Sequence, residues 1–258
     1  MRKSLIIVAA VLVAGVLMAS VAHSQSTSCD RACLEGFVEK YLDAAIAHNP
    51  KLLPLAKDVK FTENGQRLEI PDAHWKTMVG KGNYRLFVTD PAAGQVACIA
   101  TIREEGNSFS PIALRLKVRN GQITEIEALI TRSTTPAAPA SGAAAPAFPS
   151  AADSYEKMGV PHPVYLETIP PAERMSRKDL IRIANMYFSG LEKNDGKGEY
   201  PFTDDCDRFE GGMQSTNAPV REGQKRPDPK TATMYSANWS CKEQAIAASM
   251  PARLGNEE

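Results

Sequence analysis

Apolar residues recur at helical spacing early in the chain. Leu34, Phe37, Val38, Tyr41, Leu42 and Ala45 follow the i, i+3, i+4, i+7 pattern and predict an amphipathic helix. Asp30 stands where an N-cap belongs, and His48-Asn49-Pro50 ends the run. Lys51 to Ala56 reads as a short further turn, Val59 to Gly65 as a strand running into a turn, and Asp72 to Val79 as a second helical stretch carrying Trp75. The period then changes. Tyr84–Thr89, Gln95–Glu104, Ile112–Arg119 and Gln122–Thr131 read as strands, and Asn120-Gly121 between the last two is a strong hairpin signal. Leu114, Leu116 and Val118 alternate with polar residues; Ile123, Ile126 and Leu129 do so less strictly. Helices first and an antiparallel meander after is an α+β plan.

The helical stripe returns in the second half. Ser176 and Asp179 suggest a capping box for a helix over 176–193, with Leu180, Ile183, Ala184, Tyr187, Phe188 and Leu191 on one face. An offset of 146 lays these six onto the first stripe, and Arg208-Phe209-Glu210-Gly211-Gly212 echoes Phe61-Thr62-Glu63-Asn64-Gly65. The pattern reads as a tandem duplication, against the alternative of two unrelated helices that match by chance. The second copy has no sheet pattern. The 46 residues after Gly212 are rich in Pro, Lys, Arg and Asn, and only Ala245 to Met250 suggests a short helix, or else a tail. The orphan helix then needs the first domain or a partner to cover its stripe. Truncation or a frameshift near Cys241 is the other reading of this ending.

The N-terminus has the three parts of a secretory signal. Met1-Arg2-Lys3 is basic, Leu5 to Ala19 is apolar, and Ala22-His23-Ser24 supplies small residues for cleavage. An uncleaved anchor is the alternative, but the run is short for a span and no later segment reaches the length one needs. Residues 133–150, STTPAAPASGAAAPAFPS, hold seven Ala and four Pro in eighteen positions and read as a linker. The domain plan is therefore a signal peptide over 1–24, a domain over 25–132, the linker, and a partial second repeat over 151–258. The whole chain has 30 basic and 30 acidic residues, and loss of Arg2 and Lys3 leaves 28 basic. Near-neutrality favours neither nucleic acid nor an anionic membrane as partner. The expected location is secreted or periplasmic, with no membrane association after cleavage.

An oxidising compartment gives the five cysteines meaning. Cys29 and Cys33 are four apart at a helix start, and Cys206 and Cys241 are the pair in the second half. Disulfides Cys29–Cys33 and Cys206–Cys241 are expected, although four cysteines allow three pairings. Cys98, in Val96-Ala97-Cys98-Ile99-Ala100, reads as a small buried hydrophobe rather than a catalytic thiol.

The opening Cys29-Asp30-Arg31-Ala32-Cys33-Leu34, Leu53-Pro54-Leu55-Ala56, Phe61-Thr62-Glu63-Asn64-Gly65 and the closing Lys117 to Glu127 resemble the nuclear-transport-factor-2-like, or SnoaL-like, superfamily. Asp205-Cys206-Asp207-Arg208-Phe209-Glu210 also looks like a stretch in secreted bacterial and fungal proteins of unknown function. The resemblance implies a cone: a curved antiparallel sheet packed on N-terminal helices around an apolar pocket, followed here by a partial repeat that is mainly helix and loop. It also implies a dimer, and a superfamily that includes isomerases, dehydratases and non-catalytic binders, so fold alone gives no function.

Within such a cone Glu63 is the candidate proton-transfer group, with Asn64 as hydrogen-bond donor, because burial raises a carboxylate towards its working range. Against that stands a solvated turn carboxylate. Tyr41, Trp75 and Tyr84 are candidate pocket residues and equally candidates for the core. His74 reads as a surface histidine, Asp90 before Pro91 as a turn starter, and Arg208 with Asp205 and Glu210 as a bracing ion network. His48, His74 and His162 have no metal-ligand spacing, and no phosphate loop, dinucleotide fingerprint or Gly-x-Ser-x-Gly elbow occurs. No metal and no cofactor are expected. The leading expectation is a binder of a small organic ligand, aromatic or polycyclic. The alternatives are a cofactor-independent lyase, isomerase or dehydratase, and a protein-interaction module.

Overall fold

A computed structural model of the protein describes residues 29–106, 109–132, 150–193 and 200–248. The expected signal peptide, the linker up to 149 and the last ten residues lie outside these.

Helix α1 (Arg31–Ile46) starts where the sequence places it. Asp30 is extended, and its carboxylate accepts the Cys33 N–H at 2.9 Å. Strand β1 (Leu55–Glu63) turns through Asn64 and Gly65 into β2 (Gln66–Leu68). Both turn residues have positive φ, 48° and 78°, which Asn tolerates and Gly adopts freely. The helical stretch expected over Asp72 to Val79 shrinks to the single turn α2 (His74–Thr77). Met78 already begins β3 (Met78–Asp90), because Gly80 and Gly82 disfavour helix while the chain finds ladder partners in β4 (Gln95–Glu104). Strands β5 (Phe109–Arg119) and β6 (Gln122–Ile130) follow, joined at Asn120-Gly121 with φ of 50° and 73°.

The sheet runs β2-β1-β6-β5-β4-β3. Its pairs are antiparallel except β1 with β6, which are parallel. Register shifts in β1/β6, β3/β4 and β5/β6 give it the curvature of a cone wall. On β4 and β5 the buried residues alternate: Val96, Cys98, Ala100 and Ile102 face Leu116, Leu114, Ile112 and Ser110. Their apolar side chains join Leu34, Phe37, Val38, Tyr41 and Leu42 of α1 in one core. Burial of each large side chain is worth about 2 kcal/mol, so the stripe read from the sequence is what holds the helix in the concave face.

A third layer covers the other face. Helix α3 (Ala151–Met158) has a capping box, Ser150 and Asp153 exchanging bonds between side chain and backbone. Ser150, the last residue of the expected linker, is thus the N-cap of this helix. Thr101 points away from α1, and its hydroxyl donates to Glu156 of α3. Glu156 also accepts the Asn83 N–H at 2.8 Å, and the Tyr155 ring lies 4.6 Å from that of Tyr84.

Helix α4 (Arg177–Lys193) forms as the second stripe predicts, with Ser176 Oγ accepting the Asp179 N–H at 3.1 Å. Its apolar side is not buried like that of α1: Leu180 is 55% and Phe188 66% exposed. Among the described residues of the second half, the extended pairing is the short hairpin β7 (Phe209–Glu210) and β8 (Met213–Gln214). Helix α5 (Cys241–Ala248) closes the described chain and packs Ala247 on Trp239. No helix among the described residues is long and apolar enough to cross a membrane.

Candidate functional site

Glu63 ends β1 with its side chain turned inward, 7% exposed, and His74 enters α2 wholly buried. The turn between them brings both onto one spot. The His74 backbone N–H donates to Glu63 Oε2 at 3.1 Å, and the His74 Nδ1 lies 2.7 Å from the same oxygen. Across the ring, His74 Nε2 is 2.9 Å from Tyr41 Oη, which also accepts the Trp75 Nε1–H at 2.9 Å. One assignment satisfies every group: indole donates to phenol, phenol to imidazole, and imidazole to carboxylate. The reading of His74 as a surface residue is corrected here, since a buried carboxylate and a buried phenol need the ring between them.

The other side of Glu63 meets Arg132, just past β6. Arg132 Nη1 donates to Glu63 Oε1 at 3.1 Å, and its Nε and Nη2 donate to Glu104 at 3.0 and 2.8 Å. Glu104 further accepts from Thr77 Oγ1 at 2.6 Å and Ser110 Oγ at 3.1 Å. Burial by itself pushes the Glu63 carboxyl up, but the bonds from the His74 ring and backbone and from the Arg132 guanidinium outweigh it and hold it at about 2. Glu104 follows the same balance: burial raises it, and Arg132, Thr77 and Ser110 bring it below the usual range. A raised carboxylate was the basis for giving Glu63 a proton-transfer role. The structure corrects that basis, because Glu63 is a firmly ionised, fully bonded group.

Asn64 is exposed, and its amide is used up on β6, accepting the Ile130 N–H at 2.9 Å and donating to the Ile130 carbonyl at 3.1 Å. It fastens the end of β1 and points no donor into the cone. Tyr41 and Trp75 are fully buried in the polar chain above, and of the cavities described below neither lines any. Tyr84 lines a cavity of about 60 Å³, on the α3 side with Tyr155 and Met158, too small for more than a water or two. A cavity of about 390 Å³ opens beside β1 and β2, between Leu53, Phe61, Leu68 and Ile70.

A larger cavity, about 650 Å³, lies in the second half. Tyr187 of α4, Tyr200, Phe202, Phe209, Tyr165 and Tyr235 contribute rings. Tyr200 and Phe202 stack with centroids 5.9 Å apart and planes 3° from parallel, and Tyr187 meets Phe202 edge-on at 6.0 Å. The polar part of the wall includes Asp207, Glu210, Ser215, Gln244 and Arg208, whose Nε donates to Ser215 Oγ at 3.0 Å and whose Nη2 donates to Gln244 Oε1 at 2.7 Å and Glu210 Oε2 at 3.3 Å. The expected Arg208–Glu210 brace is present; Asp205 is not among the bonds described for that guanidinium. The sequence signal for this cavity was the second stripe itself. Tyr187 sits 146 residues after Tyr41, yet turns to an aromatic cavity instead of a buried polar chain.

Cys29 and Cys33 are joined by a disulfide, as expected. Cys206 and Cys241 are thiols here and not the expected bridge, with the Cys241 Sγ–H donating to the Cys206 carbonyl at 2.9 Å. Cys98 is a buried thiol, pushed up to about 12 chiefly by burial, which suits a small hydrophobe and not a nucleophile. No group of three or more metal-ligating side chains occurs among the described residues.

A layered α+β fold with a curved six-stranded sheet defines the class of this molecule. More specifically, the chain belongs to the family described as a domain of unknown function, DUF8021, whose model matches residues 27–130 and 173–253. The match covers both halves and passes over the Ala/Pro stretch and α3. No curated protein matches the chain. Similar solved structures include a protein from Kribbella flavida, 16% identical with a TM-score of 0.31, over 38% of this chain and 86% of that one. An NTF2-like protein of unknown function from Cytophaga hutchinsonii is 14% identical with a TM-score of 0.30, over 38% and 89%. AclR from Streptomyces galilaeus is 11% identical with a TM-score of 0.30, over 39% and 80%.

Proposed function

We propose that this protein binds a small, flat aromatic organic molecule in the ring-lined cavity of its second half. The observation that carries the reading is the cavity's make-up: about 650 Å³ lined by six aromatic residues, with Arg208 between the carboxylates of Asp207 and Glu210 in the same wall. Volumes of about 300–1,000 Å³ and apolar walls with few polar groups are those of small-molecule sites. Stacked and edge-on rings offer a planar guest its preferred contacts. Arg208, oriented by Ser215 and Gln244 and sharing only one 3.3 Å contact with Glu210, gives an acidic or carbonyl edge of that guest a charged donor in competition with that carboxylate.

The ionised, fully bonded Glu63 supports binding over proton transfer in the first half, where it acts as a brace. The basic, apolar and small-residue segments of the N-terminus, with the Cys29–Cys33 disulfide, support export to a secreted or periplasmic location.

The test is calorimetric titration with 2-naphthoate, a fused aromatic pair bearing one carboxylate. One equivalent should bind to the wild type. Phe202→Ala should weaken binding at least about tenfold through loss of stacking, and Arg208→Gln should weaken 2-naphthoate more than neutral naphthalene-2-methanol. No binding at millimolar concentration, or equal affinity in wild type and both variants, overturns the assignment.

A further inference from the structure

Cys206 and Cys241 lie next to each other in the wall of the second-half cavity. Cys206 precedes the β7–β8 hairpin, and Cys241 is the first residue of α5. The Cys241 Sγ–H donates to the Cys206 carbonyl at 2.9 Å and lies 3.7 Å from Thr216 Oγ1, which places the Cys241 thiol against the residue that carries the other. Both residues line the 650 Å³ cavity.

The surrounding segment has little else to hold it. Its buried apolar cluster is Trp239 and Ala247 with Ala232 against them, and its strands β7 and β8 are two residues each. Cores of that size ordinarily rely on a covalent staple or a metal. No metal-ligating cluster is present among the described residues, whereas the same chain carries a disulfide between Cys29 and Cys33. A compartment that oxidises Cys29 and Cys33 supplies the oxidant a second nearby pair would need.

We propose that Cys206 and Cys241 are a redox pair that closes to a disulfide and locks the wall of the aromatic cavity. The lock rests on the cavity being the binding site; the disulfide itself does not. In the step, the thiolate of one cysteine attacks a sulfur of an oxidised disulfide donor such as glutathione disulfide and releases one thiol. The second cysteine then attacks the mixed disulfide and releases the other thiol. Two Sγ–H bonds are replaced by one Sγ–Sγ bond, and the donor leaves as two thiols.

The closed loop spans a sequence separation of 35. On the loop-entropy argument, opening of that segment becomes about a hundredfold rarer or more.

The test uses the full exported chain, held with glutathione disulfide and then unfolded without reductant and alkylated. One alkylated cysteine, Cys98, is expected, together with a cross-linked peptide pair containing Cys206 and Cys241. Alkylation of all three of Cys98, Cys206 and Cys241, or a cross-link from either to Cys98, overturns the proposal. This result is independent of any ligand. On the folded protein, proteolysis within 207–240 should slow about a hundredfold on oxidation, and slowing of less than about threefold removes the locking role. If the cross-link forms but 2-naphthoate does not bind, the disulfide stands and the ligand reading fails.

Discussion

Replacing Glu63 by Gln tests the cluster of buried Glu63 and His74 with Arg132. The Glu63→Gln side chain keeps the shape and an acceptor for the His74 N–H but offers Arg132 no charge. In the folded protein the Glu63 carboxyl sits at about 2 against an ordinary 4.5. A folded value below the unfolded one means the charge stabilises at high pH, fully above about 4.5, and that this stability is lost as pH falls towards about 2. The difference is worth about 3 kcal/mol at pH 7 and about 1.5 kcal/mol at pH 3. The exposed carboxylates titrate in wild type and variant alike, and because Arg132 also holds Glu104 the comparison is made in a Glu104→Gln background, where the difference isolates Glu63. Urea unfolding followed by circular dichroism should show Glu63→Gln less stable by those amounts, the gap closing by about half on acidification. A gap that stays constant from pH 7 to pH 3 would falsify the assignment of Glu63 as an ionised group, and a negligible gap at pH 7 would show that the bonds from His74 and Arg132 do not favour its charge.

Three further outcomes follow from the same core. Tyr41→Phe strips the buried Trp75 Nε1–H of its acceptor and His74 Nε2 of its partner; urea unfolding should show a loss of about 2–3 kcal/mol, and a loss under about 0.5 kcal/mol contradicts the relay. Ala73 holds φ 57° and ψ −128° just before His74, a conformation suited to glycine; Ala73→Gly should raise stability by about 1 kcal/mol, and a lower melting temperature would refute the strain. A Cβ at Gly82 would overlap Thr101 Oγ1 and Glu156 Oε1; Gly82→Ala should detach α3 and speed tryptic cleavage at Lys157 about tenfold, while an unchanged rate would mean that the sheet yields instead.

The first stripe, the Asp30 cap, the Asn120-Gly121 hairpin and the α+β plan were legible because period and turn chemistry are local properties. What the sequence hid was pairing at long range. His74, two residues before a Lys on a short polar turn, looks exposed; only the approach of Glu63 and Tyr41, 11 and 33 residues away, makes it a core residue. Glu104 carried a readable sign, since it continues the inward alternation of Cys98, Ala100 and Ile102, and an inward carboxylate needs a cation. Arg132 lies past the end of β6, beyond any strand pattern. The aromatic cavity was half legible: the second stripe named Tyr187, but Tyr200, Phe202 and Tyr235 come from segments without regular period.

Helix α3 has a consequence for self-association. The chain returns over the outer face of β3, β4 and β5 and spends Tyr155 and Glu156 on Tyr84, Asn83 and Thr101. A second copy of the protein can reach that face only by evicting a tenant from the same polypeptide. Local concentration favours the resident helix, since its tether keeps it beside the sheet at any dilution. Dimerisation across this face is therefore a competition, and its outcome depends on how firmly one half-buried glutamate holds its two partners.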